Sequence, residues 1–284
     1  MDQLVYLNGR LVEKSQALIS PDDRGFNFAD GIYEVIKYYR GIPFRYADHL
    51  ERLKRSLREI RLDFDGCDQL EDVFRELVER NDLGGGEAGI YLQITRGSHP
   101  RIHQFPAHCI PTVYAYAFPF AANKDQQLKG ISVITTEDIR WLRCDIKSVA
   151  LLANVLAFQK AVDKGAGEAI FIRNGIVKEA SHSSVMWVRN GAVCTHPGSN
   201  HVLPGITERV IMDICRQAEI PFVEEEITEA DLKAADEVFI AGTGSEVTPV
   251  VNIDGTLIGD GLAGKLTRIV QGRFFDMVNG LGQK

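Results

Sequence analysis

Positive charge is in short supply in this sequence. Its 32 lysines and arginines stand against 39 aspartates and glutamates, which gives a formal net charge of −7 at pH 7. A nucleic-acid-binding protein needs a basic face to meet phosphates, so this balance argues against a nucleic-acid partner, although a small anionic ligand needs only a local basic patch. Long apolar runs are also missing: no stretch approaches the roughly 20 residues of a membrane span, and the N-terminus has no signal-peptide pattern. We therefore expect a soluble, cytoplasmic protein with no membrane partner.

Cysteine is sparse as well. The cysteines are odd in number, scattered and without C-x-x-C spacing, which favours free thiols in a reducing compartment over a disulfide framework or a zinc site. They are Cys67, Cys109, Cys144, Cys194 and Cys215. The G-x-S-x-G elbow of many serine hydrolases is also absent, so that class has little support.

The hydrophobic pattern of the first part of the chain predicts a hairpin, further strands and two amphipathic helices. Asn8-Gly9 separates two short apolar runs and suits a type I′ turn. Apolar residues at alternating or helical spacing predict strands over 5–7, 11–12, 32–39, 90–95 and 112–120, and helices over 50–60 and 70–78.

The second part begins after a polar, unpatterned segment, Ala121–Gln127, which is the best candidate for a domain junction. Ser148–Val162 is apolar nearly all round, which predicts a buried helix. Asn174-Gly175 and Asn190-Gly191 predict two more hairpins. Further strands are expected at 131–135, 176–178 and 238–241, and further helices at 207–218 and from about 261. Because hairpins outnumber strand–helix–strand units, we expect an α/β protein with mixed or antiparallel sheets, in two lobes with a cleft between them.

Lys147 lies at the mouth of the apolar helix, within Arg143-Cys144-Asp145-Ile146-Lys147-Ser148. A lysine at the edge of an apolar core is partly desolvated, which favours the neutral amine that attacks carbonyls and forms an imine with an aldehyde cofactor. On the local sequence alone, a lysine whose ammonium reaches the solvent is the simpler interpretation.

Two segments of the second part are suited to an anion. Leu203-Pro204-Gly205-Ile206-Thr207 leads into a helix, so Thr207 is expected to cap it while backbone N–H groups point outward. Gly242-Thr243-Gly244-Ser245 follows a strand and could form a second anion-binding turn. Neither turn matches G-x-G-x-x-G or a Walker loop, and each could be an ordinary cap or turn. Glu179 ends a strand beside serines, where it could hold a protonated heterocycle or be solvated.

The loop from Arg96 to His103 is a basic spot in an acidic protein. It contains Arg96, His99, Arg101 and His103. Two arginines on a proline-interrupted loop suit a carboxylate ligand, although a surface loop without function is the simpler interpretation. His99, His103 and His108 could instead bind a metal, but Pro100 and Pro106 prevent the helix that would stack them, and no acidic ligand is close in sequence.

Taken together, these segments resemble the fold-type IV pyridoxal-phosphate enzymes, and within them the D-amino acid aminotransferases. The likeness covers almost the whole chain, and its strongest stretches are 23–34, 100–106 and 138–148. The resemblance implies a two-domain architecture, with a smaller α/β domain over 1–120 and a larger one over 121–284 that carries the cofactor lysine, and pyridoxal 5′-phosphate in the cleft between them. It also implies a homodimer that moves the amino group of a D-amino acid to a 2-oxo acid by a ping-pong mechanism.

The resemblance assigns the two residues that handle the cofactor ring. Lys147 looks like the lysine that bonds to the cofactor and later carries the proton between substrate Cα and cofactor C4′. Glu179 matches the carboxylate that pairs with the pyridine nitrogen, keeps it protonated and so lets the ring withdraw electrons.

The remaining cofactor residues are implied in the same way. Arg52 matches the phosphate-binding arginine, although the helical wheel directs it away from the apolar stripe and predicts a solvated side chain. Thr207 and Thr243 match phosphate-binding hydroxyls, with the Ile206 and Thr207 amides beside them. Leu203 matches the apolar support behind the ring.

Substrate choice is implied to depend on Tyr33, Arg101 and His103. They resemble the trap that binds the substrate α-carboxylate in the D-specific enzymes, with the Arg101-x-His103 loop supplied by the partner subunit. An arginine fork suits a carboxylate, and fixing that group decides which enantiomer directs its Cα–H toward Lys147.

The sequence departs from the family pattern at Ser184, where the family often has asparagine, and at Pro204, where related enzymes often have lysine. These departures leave the exact substrate preference open. The alternatives within the fold are a branched-chain L-amino acid aminotransferase, an aminodeoxychorismate lyase and an (R)-selective amine transaminase. Outside it, a non-catalytic ligand-binding or metal-binding protein is the alternative, and intact Lys147 and Glu179 argue against it.

Overall fold

The structure, a computed structural model, describes residues 3–283. Their contacts divide them into two compact units: 3–121 together with Ile146–Ala150, and 122–145 together with 151–283. The segment that contains Lys147 therefore belongs to the first unit by its contacts, whereas the sequence placed it in the second domain. The domain boundary at residue 120 stays a prediction. Both units combine helices with a sheet, which confirms the expected α/β class.

The first unit, over its described residues, contains an antiparallel sheet in the order β2-β1-β6-β5-β3-β4. Its strands are β1 (Leu4–Leu7), β2 (Arg10–Glu13), β3 (Gly31–Tyr39), β4 (Ile42–Pro43), β5 (Glu87–Thr95) and β6 (Thr112–Pro119), and its helices are α1 (Arg24–Phe28), α2 (Tyr46–Glu59) and α3 (Leu70–Arg80). The predicted first hairpin is confirmed, because Asn8 and Gly9 both have positive φ, 48° and 89°, as a type I′ turn requires.

One face of this sheet forms the core of the first unit. Val113, Ala115 and Ala117 alternate along β6 and pack with the apolar faces of α2 and α3. At the start of β3, a bridge pairs Ile32 with Ser148. The short segment around Lys147 is thereby attached to β3 by backbone pairing.

The second unit contains a mixed sheet in the order β12-β11-β10-β13-β14-β7-β8-β9, with β15 on β14, over its described residues. Its elements are α4 (Lys124–Lys129), β7 (Ile131–Glu137), α5 (Leu152–Asp163), β8 (Glu168–Arg173), β9 (Ile176–Ala180), β10 (Ser184–Arg189), β11 (Ala192–Thr195), α6 (Ile206–Gln217), β12 (Phe222–Glu224), α7 (Glu229–Lys233), β13 (Glu237–Gly242), β14 (Glu246–Ile253), β15 (Thr256–Leu257) and α8 (Lys265–Asn279). The predicted Asn-Gly hairpins join β8 to β9 and β10 to β11 with positive φ at both turn residues.

Two expectations for the second unit are wrong. The apolar helix begins at Leu152, not at Ser148, because the preceding residues pair with β3. It is also not buried: Leu152 and Leu156 are 72% and 55% exposed, and the helix packs on the sheet through Ala157 and Ala161. In the expected junction, Asn123 caps the short helix α4. No helix of the described chain is long and apolar enough to cross a membrane.

Candidate active site

Lys147 is half-buried in the extended segment that lines the start of β3. Its carbonyl oxygen accepts a hydrogen bond from the Tyr33 amide at 2.9 Å, and its own amide donates to Ser56 Oγ at 3.3 Å. The Lys147 Nζ atom lies 4.3 Å from the centroid of the Tyr33 ring, within the range of a cation–π contact. Backbone hydrogen bonds therefore fix the main chain of Lys147, and the Tyr33 ring lies beneath its amine.

Arg52 lies in a buried charged cluster between α2 and β3. Its Nε and Nη2 atoms donate to the two Glu34 carboxylate oxygens at 2.8 and 2.9 Å, in a bidentate fork. His49 Nδ1 lies 2.8 Å from the same carboxylate. The solvated arginine that the helical wheel predicts is therefore wrong, because Glu34 on the neighbouring strand pairs with its charge inside the protein.

Burial and charge act in opposite directions on the two titratable members of this cluster. Burial alone would raise the pKa of Glu34, but the Arg52 charge and hydrogen bonds from Arg52 and His49 outweigh it and hold that pKa well below its usual range. Burial lowers the pKa of His49, and Glu34 opposes this only in part. At neutral pH the cluster is thus an ion pair beside a neutral imidazole.

The loop with Arg101 and His103 is exposed, but it is anchored to the first unit. The guanidinium carbon of Arg101 lies 4.9 Å from the centroid of the Phe28 ring, and the His103 ring meets the same ring edge-on at 5.4 Å. Arg24 Nη1 donates to the Ile102 carbonyl at 2.6 Å. The loop therefore presents both predicted substrate residues from a fixed backbone.

Glu179 lies at the end of β9 and is buried. One carboxylate oxygen accepts the Leu203 amide at 3.0 Å, and the other accepts a hydrogen bond from Arg140. The local alternative of a solvated carboxylate is therefore wrong. Leu203, predicted to support the cofactor ring, is half-buried and is tied to Glu179 through its backbone.

Arg140 is a residue that the sequence reasoning missed. Asp138 accepts from its Nε and Nη2 at 2.8 and 2.9 Å, and its guanidinium carbon lies 4.1 Å from the Phe171 ring centroid. Burial would lower the pKa of Arg140, but the bonds with Asp138 and the charge of Glu179 raise it. The one available signal was its place in the 138–148 stretch that carries the family resemblance.

The helix α6 begins at Ile206, with Gly205 as its N-cap, and no side chain caps it. The expectation that Thr207 caps the helix is therefore wrong: Thr207 is its second residue, and both Ile206 and Thr207 are buried. An uncapped helix N-terminus keeps backbone N–H groups for an anion.

Ser184, the departure from the family pattern, supports the first turn of α6. Its hydroxyl donates to Glu208 at 2.9 Å, and Thr195 donates to the other Glu208 oxygen at 3.0 Å. Gly205 is tightly enclosed here, since a Cβ atom at that position would lie 2.6 Å from Ser184 Oγ. Pro204 is exposed. Ser184 therefore acts on the turn into α6.

Thr243 is half-buried in the turn between β13 and β14. Beside it, the Ser245 and Ser183 hydroxyls lie 3.2 Å apart. A Cβ atom on Gly242 would lie 3.1 Å from Ser183 Oγ, so glycine permits the close approach of this turn to the β9–β10 connection.

The predicted site residues fall into two sets. The first unit holds Tyr33, Arg52, Arg101, His103 and Lys147, and the second holds Glu179, Leu203, Ile206, Thr207 and Thr243. In the first set Lys147 contacts Tyr33. Among the residues described, no hydrogen bond or ion pair joins Lys147 to Arg101 or His103.

Comparisons with known proteins show the family of the chain. The family model described as amino-transferase class IV matches residues 31–253. A D-alanine aminotransferase of Staphylococcus haemolyticus is 47% identical over 272 residues, which cover 95% of this chain and 96% of that protein. The solved branched-chain amino acid aminotransferase of Escherichia coli superposes with a TM-score of 0.91 at 26% identity, over 98% of this chain and 95% of that one. Another branched-chain amino acid aminotransferase, solved with pyridoxamine 5′-phosphate, gives 0.90 at 27% identity, over 99% and 95% of the two chains. The chain belongs to the class IV aminotransferases.

Proposed function

We propose that this aminotransferase uses pyridoxal 5′-phosphate to move the amino group of a D-amino acid to a 2-oxo acid. The observation that carries the proposal is the Lys147 amine, which is held over Tyr33 at 4.3 Å in the unit that also presents Arg101 and His103. Relatives named D-alanine aminotransferase, at 44–47% identity over most of the chain, support the D-amino acid as substrate and D-alanine as the first one to test.

The residues present fit pyridoxal phosphate. The uncapped start of α6, at Ile206 and Thr207, suits a phosphate, with the Thr243 hydroxyl and Arg52 as its further ligands. Glu179, buried and held by two hydrogen bonds, suits the pyridine nitrogen, and Leu203 suits the ring face. When bound, the cofactor supplies an electron sink for the bond that breaks at substrate Cα.

The chain's own groups perform the remaining tasks. Lys147 would hold the cofactor through its Nζ amine, and the same amine would take the proton from substrate Cα. Glu179, held by Arg140 and the Leu203 amide, would pair with the pyridine nitrogen. Arg101, His103 and Tyr33 bind the α-carboxylate, and this fixes the enantiomer whose Cα–H points at Lys147.

We also propose a homodimer in which the Arg101-x-His103 loop serves the partner's site. The exposed apolar side chains of α5 support it, because apolar groups grouped on one helix are typical of a surface that another chain covers. They are Leu152, Val155, Leu156 and Val162. Sedimentation analysis should give a dimer, and Leu156→Asp should dissociate it; a wild-type monomer would contradict this part.

A cytoplasmic location is part of the proposal. All five cysteines are free, which suits a reducing compartment. Fractionation of the cells that make the protein, with an antibody against it, is the direct check.

The substrate claim is tested with the two enantiomers of alanine and 2-oxoglutarate as acceptor. We expect turnover of D-alanine and a cofactor absorption band near the visible edge. Turnover of L-alanine or branched-chain L-amino acids alone would favour the branched-chain alternative, to which the Escherichia coli fold points. A protein that stays colourless after addition of pyridoxal phosphate would contradict the enzyme assignment.

A further inference from the structure

Three side chains of the first unit converge on one aromatic ring, that of Phe28. The guanidinium carbons of Arg24 and Arg101 lie 4.7 and 4.9 Å from its centroid, and the His103 ring lies 5.4 Å away at an interplanar angle of 61°. Arg101 and His103 are the two loop residues assigned to the substrate carboxylate. Phe28 itself belongs to neither the cofactor residues nor the substrate residues.

The short helix α1 places this ring where the loop passes. Asp23 caps the helix, accepting from the Gly25 amide at 2.8 Å, and Ala29 ends it in the left-handed conformation with φ of 55°. Residues four apart lie on one helix face, so Arg24 and Phe28 point to the same side.

Arg24 fixes the loop backbone, and it shares the carboxylate of Asp30 with Arg96. Its Nε donates to Asp30 Oδ2 at 2.8 Å, and its Nη1 donates to the Ile102 carbonyl. The negative charge of Asp30 lowers the repulsion between Arg24 and Arg101, which share the Phe28 ring.

Arg101 differs from Arg24 in its partners. Within residues 3–283 it has no carboxylate partner, and its side chain is exposed. An exposed arginine has many rotamers, and within residues 3–283 the Phe28 ring is the surface on which its guanidinium rests. Its charge is therefore oriented and still available to an incoming carboxylate.

We propose that Phe28 is a positioning residue whose ring sets the Arg101 and His103 side chains in the arrangement that receives the substrate carboxylate. The inference rests on the proposed function, and it adds a residue to the specificity machinery. Leucine in place of Phe28 would keep an apolar side chain but remove the π face and the edge contact. Both loop side chains would then spread over more rotamers, and carboxylate binding would weaken without a change at the cofactor.

The test compares Phe28→Leu with Phe28→Tyr, which keeps the ring, and with Phe26→Leu, a matched control because Phe26 in the same helix is 80% exposed. The wild type is first assayed with D-alanine and 2-oxoglutarate. KM for both substrates, the competitive inhibition constant of propionate, kcat, the cofactor spectrum and the cofactor dissociation constant are then measured for each protein.

We expect Phe28→Leu to raise both KM values and the propionate constant about tenfold, the scale of losing one or two cation–π contacts. The cofactor spectrum and dissociation constant should not move, and Phe28→Tyr and Phe26→Leu should stay close to the wild type. Should Phe28→Leu fail to fold, Phe28→Met, whose unbranched and flexible side chain can adapt to the space of the ring, takes its place.

An unchanged propionate constant in an active Phe28→Leu enzyme would overturn the inference. So would an equal loss in Phe26→Leu, or a parallel rise in the cofactor dissociation constant, since either marks a general structural effect. If the wild type itself does not transaminate D-alanine, the proposed function fails, and this is known before any variant is compared.

Discussion

Two arginines of the first unit are assigned to anionic groups, and the protein holds them in opposite ways. Arg52 is buried and forms a bidentate pair with Glu34, whereas Arg101 is exposed and rests on the Phe28 ring without a carboxylate partner in the described chain. A bidentate pair holds the arginine guanidinium in one orientation, which suits a cofactor phosphate that stays bound. An oriented but unneutralised charge suits a substrate carboxylate that must bind and leave in every cycle.

The second unit also contains a buried ion pair of the kind that holds Arg52. Glu179 is buried and bonded to Arg140, which is held in turn by Asp138. The contrast thus separates two arginine and glutamate groups proposed for a resident ligand, which lie in buried charge networks, from the arginine proposed for an exchanging one, which lies on an exposed loop. Substitutions on the two sides should differ in whether they disturb folding or only turnover.

Lys147→Ala should give the largest effect on turnover. Lys147 is held through its backbone, so its side chain can be removed without loss of a structural contact other than the Tyr33 ring. Removal of a group that both bonds to the cofactor and moves a proton should lower kcat at least about 1,000-fold, while the melting temperature changes little. Residual turnover within about tenfold of the wild type would contradict the assignment.

Glu34→Ala should give the largest effect on stability. It leaves the Arg52 charge buried without its carboxylate, which costs about 3–5 kcal/mol of unfolding free energy for pairs of this kind. Urea unfolding measures it, and Glu51→Ala on the exposed side of α2 is the control. A loss below about 1 kcal/mol would show that Arg52 reaches solvent, and the contrast with Arg101 would disappear.

Arg101→Ala should have little effect on stability and a large effect on substrate binding. Because Arg101 is exposed, the unfolding free energy should change by less than about 0.5 kcal/mol. KM for the amino acid should rise about 10- to 100-fold, since a charged hydrogen bond contributes about 1.5–3 kcal/mol. Arg101→Lys should recover only part of the affinity, because lysine lacks the fork. Full recovery would mean that charge alone matters, and that the orientation by Phe28 does not.

The sequence predicted those features whose cause is local. The three Asn-Gly hairpins are correct because two adjacent residues with positive φ suffice to define the turn. The helix begins at Ile206, one residue before the predicted Thr207. Its N-cap is Gly205, which has the extended backbone of a cap but offers no side chain that would mark it.

The sequence pattern could not predict features that depend on residues far apart in the chain. The pattern shows that α5 is apolar, but not that the single chain leaves Leu152 and Leu156 exposed. Arg52 lies outside the apolar stripe of its helix, and the reason for its burial is Glu34, 18 residues earlier on another element. The contact of Arg140 with Glu179 spans 39 residues and has no local pattern at all. The family resemblance assigned roles to Arg52 and Glu179 without supplying these partners.

The smallest expected effect concerns His49, the third member of the Arg52 cluster. Burial lowers its pKa below the ordinary 6.5, so the unfolded chain takes up the proton more readily than the folded one. Its contribution to stability is therefore present above pH 6.5 and is lost as the pH falls. His49→Gln removes this proton, so the unfolding free energy should change less between about pH 7.5 and about pH 5.5 than in the wild type. One proton contributes at most about 1.4 kcal/mol per pH unit, which sets the ceiling of the difference. Equal slopes in urea titrations of the two proteins would mean that the imidazole is not held neutral, and that the buried cluster is as open to solvent as the loop.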